Sequence, residues 1–133
     1  MSAGLRAAVP YFAAVFAAGL VLGTVRVLML APAMGAAAAV ALEVPVMLAV
    51  SWVAARWAVA RYGVPGRTGP RLAMGGLAFV LLMAAEVALG VWGFGQSPAG
   101  IAAGLIRPEG MLGLAGQVAF GLVPLAQLVT GRG

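Results

Sequence analysis

The chain has 133 residues, carries a net charge of +5, and is 64% hydrophobic but only 8% charged. A soluble domain carries charges on about 25% of its residues, so this chain has too few to cover its surface in water. It contains no Cys and no His, which excludes disulfides, thiol catalysis, structural zinc and Ser-His-Asp triads. We therefore expect an integral membrane protein that has neither a metal nor a cofactor.

Four segments are long and apolar enough to cross a bilayer, which takes about 20 residues of helix. In chain order they are residues 7–30, 35–56, 72–95 and 111–130. Each is rich in Ala, Leu, Val and Gly and lacks the alternation typical of a strand, so each is predicted to be a helix. The expected fold is all-α: a polytopic membrane protein with four transmembrane helices in one antiparallel bundle, forming a single domain over residues 1–133.

The links between the segments differ in kind. A tight, uncharged turn at residues 31–34 predicts that the first two helices are antiparallel neighbours, whereas residues 62–70 form a loop dense in Gly and Pro. The third link, residues 96–110, has Ile101 and Leu105 one turn apart and is compatible with a short helix on the membrane surface. A cleaved signal peptide is an alternative for the first segment, but its apolar stretch is longer than such peptides usually have.

The placement of Arg predicts the orientation in the membrane. In a four-span protein both termini and the middle loop share one side, and cytoplasmic loops are enriched in Lys and Arg. We therefore expect a multi-pass protein of a bacterial inner membrane with cytoplasmic N- and C-termini. The cytoplasmic side would carry Arg6, Arg56, Arg61, Arg67, Arg71 and Arg132. Aromatic residues fall near both expected boundaries, with Tyr11, Trp57 and Tyr62 on the cytoplasmic one and Trp92 and Phe94 on the outer one.

Each predicted helix contributes one strongly polar residue to the outer half of the membrane: Arg26, Glu43, Glu86 and Gln117. A central, unpaired charge costs about 2.5–3.5 kcal/mol on insertion scales, so these side chains should face the bundle interior. At about 1.5 Å per residue, all four fall at a similar depth in the outer half of the membrane. Each also shares a helical face with small residues, which mark close helix packing in membranes. We predict that they form a buried polar layer, a candidate ion, proton or substrate site.

Pro45 and Pro124 lie inside predicted helices and are expected to kink them. Pro45 in the second helix and Pro124 in the fourth each remove a backbone hydrogen bond and free a carbonyl four residues earlier, at Ala41 and Phe120. Because Pro45 is two residues from Glu43, a kink there could open a cavity or form a hinge. A static kink satisfied by neighbouring helices is the alternative.

Two interpretations of the polar layer remain open. In the first, Arg26 pairs with one or both Glu residues and Gln117 satisfies what remains, so that the layer only fixes which helices meet. In the second, two carboxylates and one guanidinium leave one negative charge in excess, which protonation of a Glu or binding of a cation would neutralise. An enzyme, with the two carboxylates as acid and base, is a third class.

These interpretations lead to one expected function and one alternative. We expect a non-enzymatic accessory or structural component that contacts the lipid bilayer and packs into a larger membrane complex. The alternative is a proton- or cation-coupled small-molecule transporter that acts as a homodimer or larger homo-oligomer. A nucleic acid partner is not expected, because the Arg residues flank apolar spans and form no basic face interleaved with aromatics.

Two resemblances to known families follow from these residues. The size and span count resemble the small multidrug resistance transporters, which are dimers of four-helix subunits, but their essential Glu in the first helix is replaced here by Arg26. The segments Gly23-Thr24-Val25-Arg26, Leu42-Glu43-Val44-Pro45-Val46-Met47-Leu48 and Ala84-Ala85-Glu86 resemble a family of small, uncharacterised four-span inner-membrane proteins of high-GC bacteria. That resemblance implies that Arg26, Glu43 and Glu86 belong together as a set, and implies no particular activity.

Overall fold

Five helices account for most of residues 2–130, the part of the chain that the computed structural model describes. Of the residues singled out above, Arg132 lies outside this part. The helices are α1 (Ala3–Met34), α2 (Ala36–Tyr62), α3 (Thr68–Gly93), α4 (Pro98–Gly104) and α5 (Pro108–Val129). All but α4 are long and apolar enough to cross a membrane, and no strand occurs among the described residues. The predicted fold class, an all-α bundle of four membrane-spanning helices, is confirmed.

The helices begin and end a few residues away from the predicted boundaries, for local reasons. At the start of α1, the Ser2 hydroxyl accepts a hydrogen bond from the Leu5 backbone N–H at 3.3 Å, which caps the helix before the apolar segment begins. At the start of α3, Pro70 lies in the first turn, where its missing N–H is not needed. At the end of α2, Gly63 adopts a left-handed conformation with φ 62° and stops the helix.

The links also differ in detail from the prediction. Residues 31–34 continue α1, and the reversal of direction falls on Gly35, whose φ of 89° is strained for any residue with a side chain. The third link does contain a short helix, α4, which begins where the Ser97 hydroxyl accepts a hydrogen bond from the Gly100 N–H at 3.0 Å. Within α1 and α3, Arg26–Leu30 and Leu89–Gly93 are π-helical.

The spanning helices stand at the corners of a quadrilateral. α1 packs against α2 and α3, and α5 packs against the same two helices, so α1 and α5 are diagonal partners. The predicted pairing of the first two spans as neighbours is therefore present. Gly4 lies against Pro70, and Gly66 lies against Leu128, which places both termini and the α2–α3 loop at one end. We call this the terminal end, and the opposite one, which carries Gly35 and α4, the α4 end.

The apolar core occupies the half of the bundle next to the terminal end. It consists largely of small side chains, which allow the helices to approach closely. A Cβ atom on Gly75 would overlap the backbone carbonyl of Gly121, so α3 and α5 touch backbone to backbone. The core residues are Ala7, Ala8, Tyr11, Val15, Ala55, Ala58, Val59, Val64, Met74, Ala78, Leu82, Phe120 and Val123.

Candidate functional site

A cavity of about 640 Å³ lies between the four spanning helices in the half next to the α4 end. Its wall is formed by residues within 15–28 of α1, 40–51 of α2, 82–94 of α3 and 109–120 of α5, with Gln96 from the link. Cavities that bind small molecules typically measure about 300–1,000 Å³. The size of this cavity therefore suits an organic ligand.

The four polar residues singled out in the sequence all line this cavity. They form two pairs on different walls. Arg26 Nε lies 3.5 Å from Glu43 Oε1, which joins α1 to α2. The Gln117 side-chain amide donates a hydrogen bond to Glu86 Oε1, which joins α5 to α3. The structure thus brings one residue from each spanning helix to the same space.

These side chains border an accessible cavity and are less buried than the buried polar layer that the sequence predicts. The Arg26 and Glu43 side chains retain 30% and 16% of their exposure, and Glu86 is exposed. The difference has a physical reason. The backbone contact at Gly75 closes the bundle in the terminal half, and the cavity occupies the half next to the α4 end.

The pairing of Glu43 with Arg26 is incomplete. A separation of 3.5 Å is too long for a charge-assisted hydrogen bond, which typically measures about 2.7–2.9 Å. Glu43 Oε1 is buried and has no hydrogen-bond partner within the described part of the chain. A buried carboxylate oxygen is costly when it lacks a donor, so Glu43 is suited to accept a hydrogen bond from a further group in the cavity.

Among the polar residues of the wall, Glu109 and Gln96 were not singled out in the sequence. Glu109 lies in the first turn of α5, immediately after Pro108, and this pattern of Pro followed by an acidic residue is typical of a helix start. With Glu109, the wall contains three carboxylates and one guanidinium, which leaves two negative charges in excess when all are ionised. The excess predicted from the spans alone was one.

Both π-helical segments border the cavity. In the first, the Ala31 N–H donates to the Arg26 carbonyl, and in the second, the Phe94 N–H donates to the Leu89 carbonyl at 3.0 Å. A π-helical turn is wider than an α-helical one and often occurs where a helix contributes to a functional site. Arg26 is the first residue of the first π-helical segment. The wider turn therefore lies at the only basic side chain that the described residues contribute to the cavity wall.

Below the cavity, a second set of polar groups closes the terminal half. Arg71 and Gln127 are fully buried. Arg71 Nη1 donates to the Pro124 carbonyl at 3.0 Å, and its Nε donates to the Pro65 carbonyl at 3.3 Å. Gln127 Nε2 donates to the Trp52 carbonyl at 2.8 Å. These bonds tie α3 and α2 to α5 and fix the floor on which the cavity rests.

The burial of Arg71 differs from the sequence analysis, which counted it among the Arg residues of the cytoplasmic side. The reason is that α3 begins at Thr68, which puts Arg71 in the first turn of the helix. Helical spacing then aligns it with the buried residues Met74, Ala78 and Leu82. That spacing is visible in the sequence and is the signal that would have identified it.

The Tyr11 side chain also lies inside the bundle and not at a membrane boundary. Its ring stacks on that of Phe120 with centroids 4.6 Å apart, and its hydroxyl donates to the Phe120 carbonyl at 2.6 Å. This is the carbonyl that Pro124 leaves without a partner inside α5. One of the two expected proline positions is therefore satisfied by a neighbouring helix, whereas Pro45 lies on an exposed face of α2.

The arrangement of the carboxylates bears on the class of ligand. Among residues 2–130, no three His, Cys, Asp or Glu side chains lie close enough together to hold a metal ion. The carboxylates are spread around a wide space, which favours a ligand with several atoms. In comparisons with known protein families, curated proteins and solved structures, the chain has no match.

Proposed function

We propose that this chain is a non-enzymatic integral membrane protein that binds an organic cation in the cavity at the α4 end. The observation that carries the proposal is the excess of carboxylates, Glu43, Glu86 and Glu109, over the single Arg26 in a cavity of ligand size. In a low-dielectric setting an uncompensated negative charge is costly. A bound ammonium group would offset the charge and supply the donor that Glu43 Oε1 lacks.

The size of the cavity supports an organic cation over a small inorganic one. A water molecule occupies about 30 Å³ of liquid, so a cavity of about 640 Å³ holds far more than one ion needs. Apolar side chains complete the wall, including Phe16, Leu82 and Phe120. The lining therefore combines a few polar groups with a largely apolar surface, as ligand sites usually do.

The proposed orientation places the cavity on the outer side of a bacterial inner membrane. Arg6, Arg56, Arg61 and Arg67 are exposed toward the terminal end, and cytoplasmic loops are enriched in Arg. With the terminal end and both termini in the cytoplasm, the cavity faces the outer leaflet. The lipid bilayer is then the immediate partner of the chain.

An accessory role within a larger membrane complex is supported by the closed terminal half. Across that half the described residues form a packed core, with α3 and α5 in backbone contact and Arg71 bonded across them. One chain in this conformation holds a ligand on one side only. The chain would therefore present its ligand to a partner protein. The alternative is a cation-coupled transporter that acts as a homo-oligomer, and this function would require the packed core to open.

Binding of butylammonium chloride tests the proposal, with butanol as the neutral probe of similar size. We expect the full chain in detergent to bind butylammonium and not butanol in isothermal titration calorimetry. Glu86→Gln should weaken butylammonium binding about tenfold, which corresponds to about 1.4 kcal/mol. Val129→Lys, which changes the net charge equally at the opposite end, is the matched control and should bind as the wild type does. Equal affinities for the two probes, or an unchanged affinity in Glu86→Gln, would overturn the proposal.

A further inference from the structure

The cavity reaches the surface of the bundle where exposed residues of α1 and of the segment after α3 line it. These two helices pack together in the terminal half, through core residues that end at Val15 on α1 and at Leu82 on α3. Beyond these residues both helices line the cavity. The π-helical segment Arg26–Leu30 packs against α2. Exposed parts of α1 and of the end of α3 thus border the cavity, and we call this region the lateral opening.

The rim of this opening is apolar. Val27, Leu28 and Phe94 line the cavity and are also 60%, 70% and 73% exposed. Side chains of this kind at a membrane-embedded rim face lipid and not water. An opening with such a rim favours a ligand that reaches the cavity from the lipid phase.

The end of the cavity, by contrast, is partly covered by the chain itself. After α3 the link turns back, and the Gln96 N–H donates to the Gly90 carbonyl at 2.8 Å. A Cβ on Gly90 would meet the Gln96 side-chain oxygen at 2.7 Å and Ile101 of α4 at 3.3 Å. The link and α4 therefore pack over the end of α3, and the side of the bundle is the more open route.

The charged groups of the wall have both signs and lie on different walls. Arg26 stands between α1 and α2, and Glu86 is held by Gln117 between α3 and α5. A guanidinium has five N–H donors in a planar fork that matches a phosphate, and the loose pairing with Glu43 leaves donors of Arg26 available. Carboxylates on the facing wall match a primary ammonium. The wall is thus complementary to a phosphate and an ammonium on one molecule.

We infer that the ligand is a membrane lipid with a primary amine next to its phosphate, which enters through the lateral opening. Its ammonium contacts Glu43 and Glu86, its phosphate contacts Arg26, and its acyl chains leave through the opening over Val27 and Leu28. This inference rests on the proposed function, because it assigns the organic cation bound in the cavity to the headgroup of a lipid.

Native mass spectrometry of the full chain in detergent tests this inference with three lipids of identical acyl chains. They are phosphatidylethanolamine, phosphatidylcholine, which keeps the positive charge but lacks N–H donors, and phosphatidylglycerol, which lacks the amine. We expect phosphatidylethanolamine to be retained about tenfold better than the other two, and Arg26→Gln and Glu86→Gln each to reduce that preference.

The route of entry is tested by two matched tryptophan variants. Val27→Trp narrows the opening, whereas Val53→Trp places the same side chain on α2 at an exposed position outside the cavity wall. We expect Val27→Trp alone to lose retention of phosphatidylethanolamine, while both variants still bind butylammonium. Equal lipid retention in the two variants would overturn the lateral route.

The remaining outcomes separate this inference from the proposed function. If butylammonium binds but phosphatidylethanolamine is not preferred over the other lipids, the lipid inference is wrong and the proposed organic-cation site remains. If free phosphoethanolamine fully displaces butylammonium from Val27→Trp, the natural ligand is a soluble molecule. That result would overturn the inference that the ligand is a membrane lipid. If neither lipid nor butylammonium binds, both proposals fail.

Discussion

The two halves of the bundle are built from similar residues, but one half is closely packed and the other encloses a cavity. In the terminal half, Gly75 and Gly121 let two backbones touch, and buried donors such as Arg71 and Gln127 each find a carbonyl acceptor. In the half next to the α4 end, polar groups project into a cavity, and the pairing of Arg26 with Glu43 is long. Polar residues thus stabilise helix packing where they bond to the backbone of a neighbouring helix, and provide a binding surface where they project into a cavity.

The helix α5 shows how the closed half is held together. It receives a hydrogen bond from Tyr11 of α1 and from Arg71 of α3, and it donates one from Gln127 to α2. Every other spanning helix is therefore bonded to α5 within the terminal half. The predictions below change single residues to test whether stability is concentrated in this half.

The largest effect is expected from Gly75→Ala. The new methyl group would overlap the Gly121 carbonyl, which is part of the backbone and cannot move aside cheaply, so we expect a loss of about 3 kcal/mol in the free energy of unfolding. Gly76→Ala is the matched control, because no atom lies within 4 Å of a Cβ placed there. Titration with SDS, followed by tryptophan fluorescence, measures both. Similar unfolding midpoints would show that α3 and α5 do not touch.

Arg71→Met should have the next largest effect. Methionine keeps much of the apolar volume but leaves the Pro65 and Pro124 carbonyls without the guanidinium, at a cost of about 2 kcal/mol in unfolding free energy. The same substitution at Arg56, which is exposed, serves as control and should cost about 0.5 kcal/mol or less. If the two variants unfold at the same SDS fraction, Arg71 lies at the surface, as the sequence had suggested.

Tyr11→Phe tests the diagonal contact between α1 and α5. Loss of the hydroxyl removes its bond to the Phe120 carbonyl while the ring stacking remains, and we expect a cost of about 1 kcal/mol. Tyr62→Phe, at the end of α2 where the side chain is half-buried, should unfold close to the wild type. A change in Tyr62→Phe as large as that in Tyr11→Phe would argue against the diagonal bond.

The smallest effect is expected in the open half, from Arg26→Ala. Its pairing with Glu43 is long, and both side chains border the accessible cavity, where water can solvate the Glu43 carboxylate once Arg26 is removed. We therefore expect a loss of about 0.5 kcal/mol in the free energy of unfolding. Arg67→Ala, which removes an exposed Arg at the other end, should cost less. Equal melting temperatures of these two variants in detergent would mean that the pair with Glu43 contributes nothing to the fold. A loss comparable to that of Arg71→Met would mean that the open half is as tightly coupled as the closed one.

The fold was predictable because its cause is composition. Four apolar stretches of sufficient length dictate four spanning helices, and one polar residue in each indicates where side chains avoid lipid. The division into a closed and an open half was not predictable, since it depends on which small residues of different helices face each other. Gly75 and Gly121 are two among twenty glycines, and nothing local distinguishes them.

The residues of the wall and floor illustrate the same limit. Arg26, Glu43, Glu86 and Gln117 stand out because each interrupts an apolar span. Arg71 and Glu109 do not, because each lies beside a loop where charges are ordinary. Their location follows from helix starts that fall a few residues earlier than hydropathy alone indicates, and such boundaries depend on caps and on the Pro residues near them.

The proline in α5 has a consequence for how the bundle assembles. A helix that enters the bilayer alone must satisfy its own backbone groups, yet Pro124 leaves the Phe120 carbonyl unpaired, which is costly in hydrocarbon. The Tyr11 hydroxyl supplies the missing donor. Inserted alone, α5 therefore has an unsatisfied backbone carbonyl, which becomes hydrogen-bonded when α5 packs beside α1. The proline thus gives the fourth helix a preferred docking partner, and Pro124→Ala would let it persist in the membrane without one.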